Sequence, residues 1–429
     1  MDFITEAVRQ NPHWQNGVVE ITRISGREIK RPIFQELLQS WQSKFITVIR
    51  GLRRTGKSVL ARQLMQHILE TQPPKTVAWF EFDRAMNATP DDLDALIRYF
   101  ESQQSENIVL DEIAFVPKWQ DILKRFYDRT NLKFVITGSS ALELDRRTSE
   151  SLAGRFNTLY IGPFSLPEVL ELAGKPPAQT TLDLATRSEE LYLEAEKYLK
   201  TGGLPEIALE KTESARNQYI KESLLNPLFY KDLPAVFPQA NPDLLSKTLE
   251  VLAGTVPNAY QAQGVASALG CSIASASQHI DLLEKGLLVK TIFNYTPSLA
   301  KQKRTSKKIV FSDNGILAAL RPDVAIGALA EQAVQNALSS EFFWKNPLAE
   351  VDLVFPKLKL AVEVKHQEHV TSADERHLHY FLERRDGWKG LLVTKKDDDP
   401  KADIPRIPLW KILMRPENAS NEKRNSQSP

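Results

Sequence analysis

The chain has 429 residues, which suits two or three domains better than one. Its 42% hydrophobic and 25% charged content can bury sizeable cores, and 55 Lys plus Arg against 54 Asp plus Glu leaves a net charge of +1. That balance excludes a globally basic nucleic-acid coat protein and a highly acidic solvating chain, and the single cysteine, Cys271, excludes a disulfide framework or a thiolate-rich zinc site.

Residues 1–40 read as a helical lead-in, with apolar residues three and four apart in FITEAVRQ and RPIFQELLQS. FITVI (45–49) reads as a strand because of its β-branched residues. It runs into Gly51-Leu-Arg-Arg-Thr-Gly56-Lys57-Ser58, which fits G-x-x-x-x-G-K-[ST], and then into the helical pattern SVLARQLMQHILE. A strand before and a helix after are what a phosphate-cradling loop requires. Backbone N–H groups from Gly51 through Arg54, Thr55, Gly56 and on to Val59 would wrap the phosphates. Lys57 would reach the β and γ oxygens and Ser58 would hold Mg2+. Arg53 and Arg54 either touch phosphate or face solvent.

Strands follow at 76–83, 107–113, 133–140 and 157–165, separated by helical patterns. That alternation predicts a mostly parallel sheet covered on both faces. Ile108-Val109-Leu110-Asp111-Glu112 puts an acidic pair at a strand end, 54 residues past Lys57. Asp111 is expected to orient Mg2+, and Glu112 to act as general base. Strand 133–140 ends in small polar residues. Ser139, with Thr137 and Ser140 beside it, is the candidate to contact the attacking water or γ-phosphate. Arg155 would add positive charge to a phosphate, or act as an arginine finger on a neighbouring subunit, or form a surface ion pair.

These residues give the first 240 positions a resemblance to an AAA-type P-loop ATPase, in the group called AAA_14-like or archaeal-ATPase-like. Gly51, Gly56, Lys57, Ser58, Asp111, Glu112 and the Ser139 region carry it. Ser151-Leu-Ala-Gly154-Arg155, Pro163-Phe-Ser165-Leu-Pro-Glu168 and Gly202-Gly203-Leu204-Pro205-Glu206 are similar to that group's signature. The resemblance implies binding and hydrolysis of ATP with Mg2+.

Residues 166–240 read as a helical lid. Ala262 to Leu288 has helix-turn-helix spacing, with Val265, Ala268 and Leu269 on one face, Gly270 at the turn, and Ile273, Ala276, Ile280 and Leu283 on the next helix. The pattern resembles a winged helix. Ser275, Ser277, Gln278 and His279 could face DNA, and Lys301, Lys303, Arg304, Lys307 and Lys308 could track its backbone. Further on, Glu331 on a helix precedes Asp352 on one strand and, 11 residues later, Glu363-Val-Lys365 on the next. Alternation puts Glu363 and Lys365 on one face, where two carboxylates could hold Mg2+ or Mn2+ with Lys365 near the scissile phosphate. The set resembles the PD-(D/E)xK nuclease fold, with Val-Asp in place of Pro-Asp.

The expected class is α/β, in five parts. A P-loop NTPase (AAA-type) core spans 1–165, a helical lid 166–240 and a winged-helix module 241–312. A restriction-endonuclease-like α/β domain spans 313–415 and a disordered tail 416–429. No segment reads as a signal peptide or membrane span, so a cytoplasmic protein with no membrane partner is expected. The leading expectation is an ATPase whose nucleotide state controls DNA binding or metal-dependent cleavage, as a homo-oligomer. The alternative is an ATP-regulated protein-interaction platform with an inactive nuclease-like fold. A small-molecule kinase on the same loop fits the acidic pair less well.

Overall fold

The computed structural model describes residues 3–85, 87–138, 154–175, 178, 180–298 and 305–414. Ser139, Ser140, Lys301, Lys303, Arg304 and the tail 416–429 lie outside the described residues. The chain divides into two compact units. The first comprises Met1–Gly162, Asn226–Ala240 and Lys285–Leu287; the second comprises Pro163–Leu225, Asn241–Glu284 and Leu288–Pro429.

The first unit holds a parallel sheet of β1 (Ile46–Arg50), β2 (Val77–Glu81), β3 (Asn107–Asp111), β4 (Lys133–Gly138) and β5 (Phe156–Tyr160), in the order β2-β3-β4-β1-β5. β1 is as long as its predicted run, shifted by one residue, and the other four strands are shorter than the runs that signalled them. Phe82–Arg84 and Ile113–Phe115 wind into 3-10 turns instead of extending β2 and β3. The side chains alternate between two buried faces. Val48, Phe80, Leu110 and Ile136 pack on one side; Ile49, Trp79, Val109 and Val135 pack on the other. Burial on both faces explains why these strands read as continuous apolar runs.

The lead-in covers the free edge of β2. Asn11 Nδ2 donates to Trp79 O at 2.8 Å, and Asn11 Oδ1 accepts from Trp79 N at 2.7 Å. Trp14 Nε1 donates to Val77 O at 2.8 Å, and Glu81 N donates to Gln10 Oε1 at 2.7 Å. Side chains thus satisfy the edge groups that a sixth strand would otherwise take.

The second unit carries a mixed sheet of seven strands: β6 (Val289–Asn294), β7 (Lys307–Phe311), β8 (Phe342–Lys345), β9 (Glu350–Phe355), β10 (Leu360–Lys365), β11 (Lys389–Thr394) and β12 (Arg406–Pro408). Their order is β12-β11-β10-β9-β8-β6-β7. β8, β9 and β10 form an antiparallel meander, and helix Ser372–Leu382 crosses over to put β11 parallel to β10. Helix Ala262–Leu269 ends at left-handed Gly270 (φ 63°), and helix Ile273–Lys285 follows. Val265 and Ala266 are buried there, not Ala268, because an Ala262-Val265-Ala266-Leu269 stripe keeps the 3.6-residue period. Ile273 is exposed.

Candidate functional site

The P-loop leaves the C-terminal end of β1 and enters helix Lys57–Leu69 through Gly56, whose φ of 92° suits glycine. Gly51 is needed for a different reason. A Cβ there would stand 2.1 Å from the Ile161 carbonyl oxygen, so no side chain fits. Thr55 Oγ1 closes the loop on Leu52 O at 2.8 Å. Arg54 is exposed with a left-handed φ of 68°, and Val59 is half-buried in the first turn of the helix. Lys57 is buried and donates from Nζ to Gly51 O and Leu52 O, each at 3.2 Å.

β3 delivers the acidic pair to the same edge. Ser58 Oγ donates to Asp111 Oδ2 at 2.8 Å, and Thr137 Oγ1 at the end of β4 donates to Asp111 Oδ1. Glu112 adopts a left-handed φ of 53°, with its N–H donating to Thr137 Oγ1 at 3.1 Å. That turn sets its carboxylate 3.6 Å from Lys57 Nζ. Thr137, which the sequence places beside Ser139, bonds both the Asp111 carboxylate and the Glu112 N–H; Ser139 and Ser140 lie outside the described residues.

Arg31 and Asp232, which the sequence left unassigned, complete the loop's surroundings, and Arg53, read as touching phosphate or facing solvent, pairs with the second of them. Arg31, from the lead-in, donates from Nη1 to Thr55 O at 3.1 Å and Gly162 O at 2.8 Å, bracing the P-loop against the chain beyond β5. Arg53 donates from Nη1 to Asp232 Oδ2 at 2.9 Å and Oδ1 at 3.3 Å. No local pattern could have announced either contact.

The donor set fits a nucleotide-bound Mg2+. Ser58 hydroxyl and Asp111 carboxylate are already in contact at the loop mouth. Burial, and then the neighbouring Glu112 charge, push the Asp111 carboxyl up to about 7. A buried acid so poorly compensated is one that a cation would relieve. A carboxyl raised in the folded state stabilises the fold below its unfolded pKa and loses that contribution as pH rises through about 7. Asp111→Asn should therefore raise the melting temperature of the nucleotide-free protein at pH 8, and much less at pH 5. Each pKa unit is worth about 1.4 kcal/mol. Equal gains at both pH values, read by thermal melts, would contradict this.

Arg155 sits elsewhere. Its carbonyl accepts from Ile46 N at 2.8 Å, at the start of β1, whereas the P-loop leaves the strand's other end. A five-residue strand at ~3.3 Å per residue separates the two positions. Its guanidinium pairs with Asp128 at 3.1 Å and lies over the Tyr127 ring. Arg155 is not placed to touch a nucleotide on its own P-loop.

The second unit has its own charged cluster. The register that pairs Leu353 with Val362 on β9 and β10 brings Asp352 opposite Glu363, and Val364 N donates to Asp352 Oδ2 at 2.9 Å. Lys365 Nζ bonds Glu363 Oε1 at 2.7 Å, while Glu363 Oε2 is buried with no hydrogen-bond partner among the described residues. Burial, then Asp352, raise the Glu363 carboxyl well above its ordinary range, and raise Glu331 to about 7.

Lys308 enters this cluster from β7. Its Nζ lies 2.8 Å from Glu331, 2.7 Å from Glu350 and 3.9 Å from Asp352, with 5% of the side chain exposed. Burial opposes its charge, but the three carboxylates outweigh it and hold its pKa above the usual lysine value. So Lys308 does not join a solvent-facing basic stripe, because the alternation of β7 turns it inward. Among the described residues, no group of three His, Cys, Asp or Glu is arranged to hold a metal ion. In the helix-turn-helix, Gln278 is exposed, but His279 is buried with Nδ1 2.8 Å from Ser275 O. Among the described residues, no helix is long and apolar enough to cross a membrane.

Residues 43–170 match the model of an AAA domain, and residues 193–327 match a domain of unknown function (DUF8612). The uncharacterized protein MJ1637 of Methanocaldococcus jannaschii is 30% identical over 321 residues, covering 68% of this chain and 67% of its own. An uncharacterized protein of Haemophilus influenzae is 27% identical over 297 residues, covering 66% and 70%. Of solved structures, the Walker-type ATPase PABY2304 of Pyrococcus abyssi aligns with a TM-score of 0.42 at 15% identity, over 70% of this chain and 98% of that one. The chain carries an AAA-type P-loop ATPase domain and belongs to the family of MJ1637.

Proposed function

We propose that the first unit binds ATP over residues 51–58 and hydrolyses it, and that its nucleotide state controls an action of the second unit on DNA. The observation that carries the first part is the contact of Ser58 with Asp111 beside the Glu112–Lys57 pair. Backbone N–H groups of the P-loop bind the phosphates, and Lys57 moves its ammonium from loop carbonyls to phosphate oxygens. Ser58 and Asp111 would hold Mg2+, which would supply charge neutralisation to the triphosphate. Glu112 takes a proton from the attacking water through its carboxylate. Arg155 would serve a neighbour's nucleotide, which makes the active form a homo-oligomer.

The DNA part is supported by Asp352, Glu363 and Lys365 sharing adjacent strands, and by the helix-turn-helix followed by the β6–β7 hairpin, read as a winged helix. A second reading is favoured by Lys308. Its ammonium neutralises the carboxylates that a nuclease would offer to metal, which suits a nuclease-like fold kept as a protein-interaction platform.

One experiment separates these readings. ATP turnover is measured with and without DNA, and strand cleavage with Mg2+ or Mn2+ is scored in the same tubes. The leading reading expects ADP plus free phosphate, stimulation by DNA, and nicking lost in Asp352→Ala and Lys365→Ala. Turnover with neither stimulation nor cleavage on single-stranded, duplex or branched DNA leaves the platform. A phosphorylated small molecule in place of free phosphate would mean a kinase.

A further inference from the structure

Segment Asn226–Ala240 belongs to the first unit, although the chain on either side of it belongs to the second. Two ion pairs hold it at the nucleotide edge of the parallel sheet. Lys231 Nζ meets Asp83 Oδ1 at 2.7 Å, just past β2. Asp232, with 1% of its side chain exposed, takes the P-loop residue Arg53 at 2.9 Å. Leu228–Asp232 is π-helical, a widened turn of the kind found at functional sites. Helix Leu233–Val236 then packs on the turn that follows Glu112.

The Arg53–Asp232 pair is poorly balanced. Burial pushes the Asp232 carboxyl up to about 6, and Glu112 and Asp83 add like charge against Arg53's attraction. Arg53 Nε is buried with no hydrogen-bond partner among the described residues. Only 18% of the Arg53 side chain is exposed, and it springs from the loop that would wrap the phosphates. A guanidinium binds a phosphate dianion in the same forked geometry that it offers a carboxylate. Phosphate and Asp232 therefore compete for one cation. If phosphate takes Arg53, Asp232 loses the ion pair that ties the segment to the P-loop, and its carboxylate is relieved by taking up a proton or by moving out to water; either way the segment loses that tether and loosens.

We propose that Arg53 distinguishes ATP from ADP by pairing with the γ-phosphate, and that Asp232 is the positioning residue that holds Arg53 until then, so that ATP and not ADP frees segment 226–240. The inference rests on nucleotide binding over residues 51–58. It supplies the missing link between the nucleotide and the second unit, since the freed segment is tethered to that unit at both ends.

The test is hydrogen–deuterium exchange on peptides from 226–240 in the full-length chain, free, with ADP, and with a non-hydrolysable ATP analogue. Occupancy is checked in each sample by displacement of a fluorescent nucleotide. The analogue alone should speed exchange in the segment, by roughly tenfold, within the usual range of allosteric coupling. In Asp232→Asn, exchange should be fast without nucleotide, and affinity should rise for the analogue but not for ADP. In Arg53→Gln, and in the neutral pair Arg53→Gln with Asp232→Asn should either single variant fail to fold, the preference for analogue over ADP should vanish. Equal exchange under saturating ADP and analogue overturns the proposal, as does a preserved preference without Arg53. Failure of both nucleotides to bind the unmodified protein would instead remove the nucleotide site itself, and the proposal with it.

Discussion

Glu112→Gln should lower ATP turnover by about 10²- to 10⁴-fold while leaving nucleotide affinity close to that of the unmodified protein. Glutamine keeps the length and the hydrogen-bonding shape of the side chain but cannot take a proton. The backbone that aims it should persist, because Glu112 N–H is held by Thr137 Oγ1 at 3.1 Å and the turn at φ 53° is backed by the 3-10 helix Ile113–Phe115. A non-glycine residue in that conformation is uncommon, and here it aims the carboxylate at Lys57. Losing the ion partner of Lys57 should, if anything, free its ammonium for phosphate. Binding is read by titration of a fluorescent nucleotide, and chemistry by single-turnover phosphate release. Turnover within a factor of a few of the unmodified rate would assign the base elsewhere. A parallel loss of affinity would mean that Glu112 shapes the loop instead of acting on water.

What the sequence disclosed and what it hid divide along physical lines. Parallel strands buried on both faces need unbroken apolar runs, so β1, β3 and β4 stood out, and the loop between β1 and its helix carried a fixed spacing of glycine, lysine and serine. The edge cover of β2 left no such trace. Asn11 and Trp14 satisfy backbone groups from 68 and 63 positions away, and nothing in their neighbourhood marks that use. Asp232 meets Arg53 across 179 positions for the same reason. Charge runs misled in a different way. Lys307 and Lys308 sit side by side in a basic stretch, but strand alternation sends Lys307 over the Phe293 ring and Lys308 into a nest of carboxylates. Composition gives the sign of a charge, and only register decides which face it occupies.

The glycine pair at 202–203 shows how strictly register can bind. Gly203→Ala should cost about 3 kcal/mol or more in the second unit, among the largest effects a methyl group can have. A Cβ at Gly203 would stand 1.9 Å from the Phe164 carbonyl oxygen and 3.0 Å from the Phe164 nitrogen, so backbone, not a movable side chain, would have to give way. Three hydrogen bonds surround that approach, and the first two depend on it. Phe164 N donates to Gly203 O at 2.6 Å, Gly203 N donates to Asp313 Oδ2 at 2.7 Å, and Gly315 N shares the same carboxylate at 2.8 Å. Pushing Gly203 away would strip Asp313 of one backbone donor, when burial already holds its carboxyl up at about 6 against the hydrogen bonds from Gly203, Gly315 and Ile316. Gly264 is the control. It lies in helix Ala262–Leu269, and an added Cβ there meets nothing within 4 Å. Gly264→Ala should stabilise by about 0.5–1 kcal/mol through helix propensity. Both substitutions add the same methyl group to the same unit, so opposite shifts in denaturation midpoint, followed by exchange protection in β9 and β10, isolate the effect of local space. Nucleotide binding by the first unit should survive in both proteins. Coincident midpoints would mean that the backbones at 164 and 203 part without cost and that the close approach is incidental to the fold.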